Sequence, residues 1–415
     1  MSGIVLSASV RQNLLSLQST ADLLATTQND LATGKKVNSA LDNPTNFFTA
    51  QGLDNRASDI GNLLDSIGNG VQVLQAANTG LTSLQGLVNS AKSIANQVLQ
   101  TTVGYSVKAS ATSLAPTGAG PLGAVGTATD LVNHGSGTDN SLAGQTFIFT
   151  PASGAATTIT LGAGANQVNS INAFNAALST AGIGLTASLA SNGSITLTSS
   201  NDNASQTLTT GVAAAANNIA ISGTDTATLV TPTGGSAGVP VADASSQAIR
   251  ANLVSQYNNV IAQISNTAQD ASFNGINLLN GDTLKLTFNE TAKSTLSITG
   301  VTYNANGLGL ANLTAGTDFL DNASANKVLN ALSAASTSLR TEASALGSNL
   351  SVVQIRQDFN KNLINVLQTG SSNLTLADPN QEAANSQALS TRQSIAVSAL
   401  ALANQSQQSV LQLLR

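Results

Sequence analysis

Few side chains in this sequence are of a type that does chemistry, and their spacing works against it. The string Gly118-Ala119-Gly120-Pro121-Leu122-Gly123 has the GxGxxG spacing of a phosphate-cradling turn. Such a turn works only between a strand and a helix whose free N–H groups meet the phosphate. No strand pattern precedes this one, Pro121 interrupts it and no helix pattern follows, so it reads as a loop. The single histidine, His134, lies in the polar run Asn133-His134-Gly135-Ser136-Gly137, where a solvated imidazole is expected. Asp54 with Asp59, and Glu342 with Asp358, are spaced as solvated charges on helix faces and not as an acid and base pair. With no cysteine and no HExxH, thiolate chemistry, Fe–S clusters and cysteine or peptidase zinc sites all lack their ligands. We therefore expect no catalytic, cofactor or metal site, and a protein that is not an enzyme.

Composition points the same way. Of 415 residues only 15 are Lys or Arg and 20 Asp or Glu, so 8% are charged, against about 25% in ordinary soluble domains. The chain is 41% hydrophobic but 3% aromatic, with no Trp. Its apolar content is thus nearly all Ala, Leu, Val and Ile, which build long helices and thin sheets better than aromatic-lined pockets. A net charge of -5 argues against nucleic acid, because phosphate contacts need clustered Lys and Arg. No stretch reaches 18 apolar residues, so no membrane span is expected. The start, MSGIVLSASVRQNLLS, has neither the basic region nor the apolar stretch of a signal peptide, and any export would use a route that reads no cleaved signal.

The elements that would position any site are helical at the two ends. Val10, Leu14, Leu17, Ala21, Leu24, Gln28 and Leu31 step by four and three residues, the seam of a heptad. The rhythm returns in Leu53, Ala57, Ile60, Leu64, Ile67, Val71, Leu74, Asn78, Leu81, Gln85 and Val88. It runs again through Leu332, Ser336, Leu339, Ala343, Leu346, Leu350, Val353, Gln357, Asn360, Ile364 and Leu367. Leu389, Gln393, Ala396, Leu400, Ala403, Gln407, Val410 and Leu414 close the chain. Gly52, Gly61, Gly68, Gly70, Gly80 and Gly86 interrupt the second stripe, each at about 1 kcal/mol relative to Ala. Their presence predicts close backbone approach in a crowded bundle. A further helix is predicted from about Asp243, with Ile249, Leu253, Tyr257, Val260 and Ile264 on one face, and a hairpin over Leu284–Phe288 and Thr295–Thr299.

Residues 105 to about 245 are different, dominated by Thr, Ser, Gly, Ala and Asn and holding most of the prolines. Alternating segments at 146–150 with 157–161, and at 185–189 with 195–198, predict two hairpins. The second turns at Asn192-Gly193, a tight-turn pair. One short helix, Val168 to Leu178, completes a small β-rich domain.

An apolar seam sustained over many turns must be buried, at roughly 1.5 to 3 kcal/mol per Leu or Val. If the end helices pack on non-identical faces of neighbours, the contact is heterologous and propagates as a helical filament.

Three segments carry a family resemblance: Leu31-Ala-Thr-Gly-Lys-Lys-Val-Asn-Ser-Ala-Leu-Asp-Asn-Pro44, Phe273-Asn-Gly-Ile-Asn-Leu-Leu279, and the ending Leu400-Ala-Leu-Ala-Asn-Gln-Ser-Gln-Gln-Ser-Val-Leu-Gln-Leu-Leu-Arg415. Together they resemble bacterial flagellin over about residues 1–104 and 246–415. The resemblance implies a mainly α fold. Its antiparallel coiled-coil and helical-bundle core is built from both chain ends, with a β-hairpin and an inserted β-rich outer domain. It implies a structural subunit that polymerises with copies of itself into a flagellar filament for swimming motility. Type III export would carry it outside the cell, with the export apparatus, an export chaperone, and cap and junction proteins as partners. On this reading 1–40 and 378–415 form the terminal coiled-coil domain. Residues 41–104 and 246–377 form the bundle with hairpin 284–299, and 105–245 the outer domain. Val10, Leu14, Leu17, Leu24, Leu31, Leu389, Ala396, Leu400, Ala403, Val410 and Leu414 would form the polymerisation seam. Leu53, Ile60, Leu64, Ile67, Val71, Leu74, Leu81, Leu332, Leu339, Leu346, Leu350, Val353, Ile364 and Leu367 would form the bundle seam.

Two features depart from the family pattern. The family's variable domain usually follows the hairpin, whereas here the β-rich insert falls before it, between two N-terminal helices. The insert, with Val168–Phe174 ahead of the strands at 185–188 and 195–197, itself looks like a small flagellar repeat. A hook-filament junction protein shares the terminal logic. A glycan-binding or adhesive outer domain is suggested by the Thr/Ser/Asn-rich composition.

Overall fold

The computed structural model describes residues 8–113, 131, 144–151, 155–190, 194–210, 218–222, 229–230 and 238–413. The GxGxxG string and His134 lie outside them, as does Leu414. By internal contacts the chain forms two compact units, one of residues 1–72, 284–298 and 348–415, the other of 73–283 and 299–347.

Four long helices start on side-chain caps that answer their first free N–H groups. Helix α1 (Ala8–Thr33) leads into α2 (Pro44–Gln100), where Asn43 Oδ1 accepts from the Asn46 N–H at 3.0 Å. Pro44 takes the first helical position, where a missing N–H does no harm. The same device opens α6 (Pro379–Leu413): Asp378 accepts from the Asn380 N–H at 2.9 Å ahead of Pro379. Asp243 caps α4 (Ala244–Asp270). Asp321 caps α5 (Asn322–Thr375), accepting from the Ser324 N–H at 2.9 Å.

In the first unit α1 lies along α6. They are joined at one end by backbone bonds from Lys36 N–H to the Thr375 carbonyl, 2.8 Å, and from Ala377 N–H to the Gly34 carbonyl, 3.0 Å. The pair is therefore antiparallel. Deeper in, Ala57, Ile60 and Leu367 form a core against Leu53, Leu363 and Ile364. The antiparallel hairpin of two strands, Thr283–Thr287 and Thr295–Thr299, joins the same unit. It is held by the Arg56–Glu290 ion pair at 2.8 Å, by Asn360 Nδ2 donating to the Phe288 carbonyl at 3.0 Å, and by Arg356 over the Phe288 ring.

The glycine row of α2 has two explanations. A Cβ on Gly70 would overlap Leu286, and one on Gly80 would overlap Ala271 and Leu279. Crowding accounts for these two. Gly52, Gly61 and Gly86 meet nothing within 4 Å, and Gly68 only an amide at 4.0 Å, so for them the expectation of close approach is corrected.

In the second unit α4 buries Ser246, Arg250, Leu253, Val254, Tyr257, Ile261, Ile264 and Ala268. The predicted face was one residue off at two points. Ile249 is exposed and Arg250 is buried in its place, while Ile261 is buried more fully than Val260. The β-rich region begins and ends at one neck, where β1 (Tyr105–Val107) pairs with β10 (Val241–Ala242) and the Asp243 N–H donates to the Gly104 carbonyl at 3.0 Å. Inside it are β2 (Ser110–Ser113), β3 (Thr146–Pro151), β4 (Thr157–Thr160), α3 (Ile171–Thr180), β5 (Leu185–Leu189), β6 (Ile195–Ser199), β7 (Thr207–Thr210), β8 (Asn218–Ser222) and β9 (Leu229–Val230). They form two four-stranded sheets, β5-β6-β2-β9 and β4-β3-β8-β7. Both predicted strand pairs are present and antiparallel, with Phe147 opposite Ile159 and Ala187 opposite Leu197, while the predicted Asn192-Gly193 turn lies outside the described residues. The core shared by the sheets and α3 centres on Phe147, Phe149 and Phe174, whose rings lie 5.2 to 6.3 Å apart.

Candidate subunit-contact faces of the terminal helices

The α1–α6 pair has a seam and a back. On α6 the half-buried positions are Glu382, Ser386, Leu389, Gln393, Ala396, Leu400 and Ala403, at alternating four- and three-residue steps. On α1, Val10 is buried, Leu17, Ala21 and Leu24 are half-buried, and Leu14 and Leu31 are exposed. The α1 seam instead buries Thr20 and Thr27, one position before Ala21 and Gln28. Thr20 tolerates this because its hydroxyl donates to the Ser16 carbonyl at 2.8 Å. The side chain of Val410 is outside what the structure describes.

The bundle positions are buried or half-buried. Ile60, Ile67, Leu74, Leu81, Leu332, Leu339, Leu346, Val353 and Leu367 are buried, and Leu53, Leu64, Val71, Leu350 and Ile364 half-buried. Within the second unit, Gln85 Nε2 donates to the Ser336 hydroxyl at 2.8 Å.

The back of the first unit carries what sequence periodicity missed. Leu15 and Leu23 of α1, and Ile395, Val397 and Leu402 of α6, each expose half or more of their surface. A stripe on α5 is exposed as well: Ile355 is 65% and Val366 66% exposed, with Val352 and Phe359 on the same face also exposed. The spacing 352, 355, 359, 366 is that of one helix face. Soluble monomers rarely leave apolar surface in such runs, and contiguous patches mark interaction sites. The terminal helices also carry few charges to keep this surface in water: Arg11, Asp22 and Asp30 on α1, Glu382 and Arg392 on α6. Asp30 and Glu382 are set against each other. Burial and the charges of Glu382 and Asp42 push the Asp30 carboxyl above the usual range.

Among the described residues, the carboxylates singled out in the sequence are not set as an acid and base pair. Asp54 and Asp59 are solvent-exposed, Glu342 accepts from the Tyr303 hydroxyl at 3.2 Å, and Asp358 is paired with Lys361. Among the described residues no three His, Cys, Asp or Glu side chains are placed to hold a metal ion, and no helix is long and apolar enough to cross a membrane.

Comparison with known proteins fits this architecture. Residues 5–114 match the bacterial flagellin N-terminal helical region, and residues 329–414 the bacterial flagellin C-terminal helical region. Flagellin FljM of Caulobacter vibrioides is 33% identical over 39% of this chain and 59% of its own length. Flagellin FljK of the same organism gives the same figures. A flagellin of Brucella melitensis is 27% identical over 40% of this chain and 62% of its own. The chain thus spans about three fifths of the length of these relatives. The family matches fall on the two ends and leave residues 115–328 uncovered, most of the β-rich insert among them. Both helical ends of the chain are thus similar to the corresponding ends of bacterial flagellins.

Proposed function

We propose that this protein is the structural subunit of a flagellar filament, polymerising with copies of itself to serve swimming motility. The observation that carries the reading is the two-faced terminal pair. One face of α1 and α6 is spent on the seam between them, and the other leaves Leu15, Leu23, Ile395 and Leu402 bare. A second copy of the chain, poor in charge and apolar on the same faces, is the partner that fits. Contacts between unlike faces extend without closing. The seam residues Leu17, Leu24, Leu389, Ala396, Leu400 and Ala403 would then fix the pair, and the bare faces would make the polymer. An extracellular location follows from this role. So do partners in the type III export apparatus, an export chaperone, and cap and junction proteins.

The test separates seam from back. Purified full-length chain is concentrated and followed by sedimentation and electron microscopy. Deleting 1–33 or 384–415 is expected to leave a soluble species that forms no filaments. The paired substitution Leu23→Asp and Leu402→Asp should keep monomer helicity and still abolish polymerisation. Leu24→Asp, which puts an unpaired charge into the seam, should lower helicity as well. Filaments from either truncation, or from the Leu23/Leu402 variant, would overturn the reading.

A further inference from the structure

The second unit contains a groove that the filament reading does not use. Its volume is about 590 Å³, within the range of small-molecule sites. It runs between the 175–203 stretch of the β-rich domain and the first turns of α5. On one side stand Asn326, Lys327 and Asn330, all exposed; on the other, Ser200, Asp202 and Asn203.

The wall defines a ligand chemistry by three features. Its single carboxylate and single ammonium, Asp202 and Lys327, cancel, so the groove selects neither an anion nor a cation. Among the described residues no aromatic side chain lines it, which removes the stacking platform a flat heteroaromatic ring would use. What remains is amides and hydroxyls, groups that donate and accept alike. A second observation points to an occupant. The Ser200 hydroxyl, on the wall, is buried with no hydrogen-bond partner in the structure. The side-chain oxygen of Asn322, next to the wall residue Ala323 in sequence, shares that condition. Buried polar atoms are normally satisfied. A polyhydroxyl ligand toward which the Ser200 side chain turned would satisfy its hydroxyl.

The site is also pre-shaped. Asn203 Nδ2 donates to the Ile183 carbonyl at 3.2 Å. Gly184, at φ +69°, lets that amide come so close that a Cβ there would overlap it. Fixing the amide before binding lowers the ordering cost of taking up a ligand.

We propose that this groove binds a neutral saccharide of about disaccharide size. The proposal rests on the second unit alone and is independent of polymerisation. Saturation-transfer NMR on the full-length chain, with maltose, cellobiose and chitobiose each at millimolar concentration, tests it. At least one of the three is expected to give difference signals. Those signals should vanish in the Asn326→Ala, Asn330→Ala double variant, whose helicity and filament formation should be unchanged. They should persist in an Asn89→Ala, Asn96→Ala variant, which alters a different polar groove on α2. Silence from all three sugars, or signals retained when Asn326 and Asn330 are truncated, would overturn it.

Discussion

The guanidinium of Arg250 donates to the carbonyl of Phe319 at 2.8 Å, and Phe319 is held there with φ +57°. A bulky residue in the left-handed region is a strained one. Phe319 is fully buried with its ring edge-on to Tyr257, centroids 5.9 Å apart. The other Arg250 nitrogens reach back to the carbonyls of Val98, 3.3 Å, and Thr102, 3.2 Å. These belong to the last turn of α2 and the residues after it, where the helix dipole is negative, and the Val98 carbonyl also accepts from the Thr101 hydroxyl at 2.8 Å. Burial pulls the Arg250 pKa down, and the charge of Asp321 opposes that pull.

Arg250→Ala is therefore expected to destabilise the protein by about 3 to 5 kcal/mol, because the carbonyls of Val98, Thr102 and Phe319 lose a charged donor and a hydrogen bond to a charged group is worth about 1.5 to 3 kcal/mol. Arg250→Lys should recover only part, because a compact ammonium cannot reproduce the forked geometry. Urea unfolding of both variants measures this. A loss below about 0.5 kcal/mol for Arg250→Ala, the range of neutral surface changes, would contradict the cluster's role.

Tyr257 makes a prediction at alkaline pH. Burial, with the nearby charge of Asp318, pushes its hydroxyl up to about 12. In the unfolded chain the group titrates near 10. Between those values the native state keeps a proton that the unfolded state has lost, so the contribution is full below about pH 10 and disappears as pH rises through about 12. Melting temperature should fall over that window. Tyr257→Phe should flatten the fall, whereas an unchanged pH profile in that variant would assign the loss to other groups.

Asp30 gives the acid-side counterpart. Its carboxyl sits above the usual range through burial and then through Glu382 and Asp42. A raised carboxyl is better tolerated protonated, so it favours the folded state at pH below the unfolded value near 3.9 and loses that contribution as pH rises through the folded one. Asp30→Asn is thus expected to raise the melting temperature of the full-length monomer at neutral pH. The gain should shrink toward pH 3. A variant that melts lower than wild type at pH 7 would mean that the Asn38 amide, which donates to Asp30 at 3.2 Å, matters more than the repulsion.

The parts legible in the sequence and the parts that were not differ in a physical way. On α6 the heptad steps fall on the half-buried positions Leu389, Gln393, Ala396, Leu400 and Ala403, all but Gln393 apolar. On α1 they placed Ala21 and Gln28 where the structure buries Thr20 and Thr27, since a threonine that bonds its own helix carbonyl packs like an apolar residue. Arg250 was invisible for the opposite reason. Its burial depends on carbonyls at Val98, Thr102 and Phe319, at separations of 148 residues or more for the first two, and a charged residue reads as solvent-facing. The Pro44 and Pro379 helix starts were not singled out, although Asn-Pro and Asp-Pro are start signals. The bare stripe at Val352, Ile355, Phe359 and Val366 was not singled out, because a pattern search stops at the first seam it finds on a helix. Asn175 is a further case. It donates to the Ala187 carbonyl at 2.9 Å and accepts from the Ala187 N–H at 2.6 Å, closing part of the open edge of β5 against strand addition.

The last prediction concerns the β-rich insert. Its two ends meet at the neck, where Tyr105 pairs with Ala242 and Gly104 bonds Asp243, so a few Gly/Ser residues can replace 106–242 without stretching the helices. The insert is nevertheless tied to α5. The Ser205 hydroxyl donates to Asp321 Oδ2 at 2.6 Å, and the Ala323 N–H donates to the Asp202 carbonyl at 3.0 Å. Asp321 is buried, caps α5 and faces the charge of Arg250, so losing Ser205 removes one of its bonds at the start of a 54-residue helix. The shortened chain is expected to melt lower than the full chain, by an amount in keeping with one or two lost hydrogen bonds of about 1 kcal/mol each, and still to form filaments, thinner in electron micrographs. In the full-length chain Ser205→Ala should reproduce part of the drop in melting temperature with no change in filament width. If the shortened chain keeps its helicity but does not polymerise, the insert contributes subunit contacts of its own.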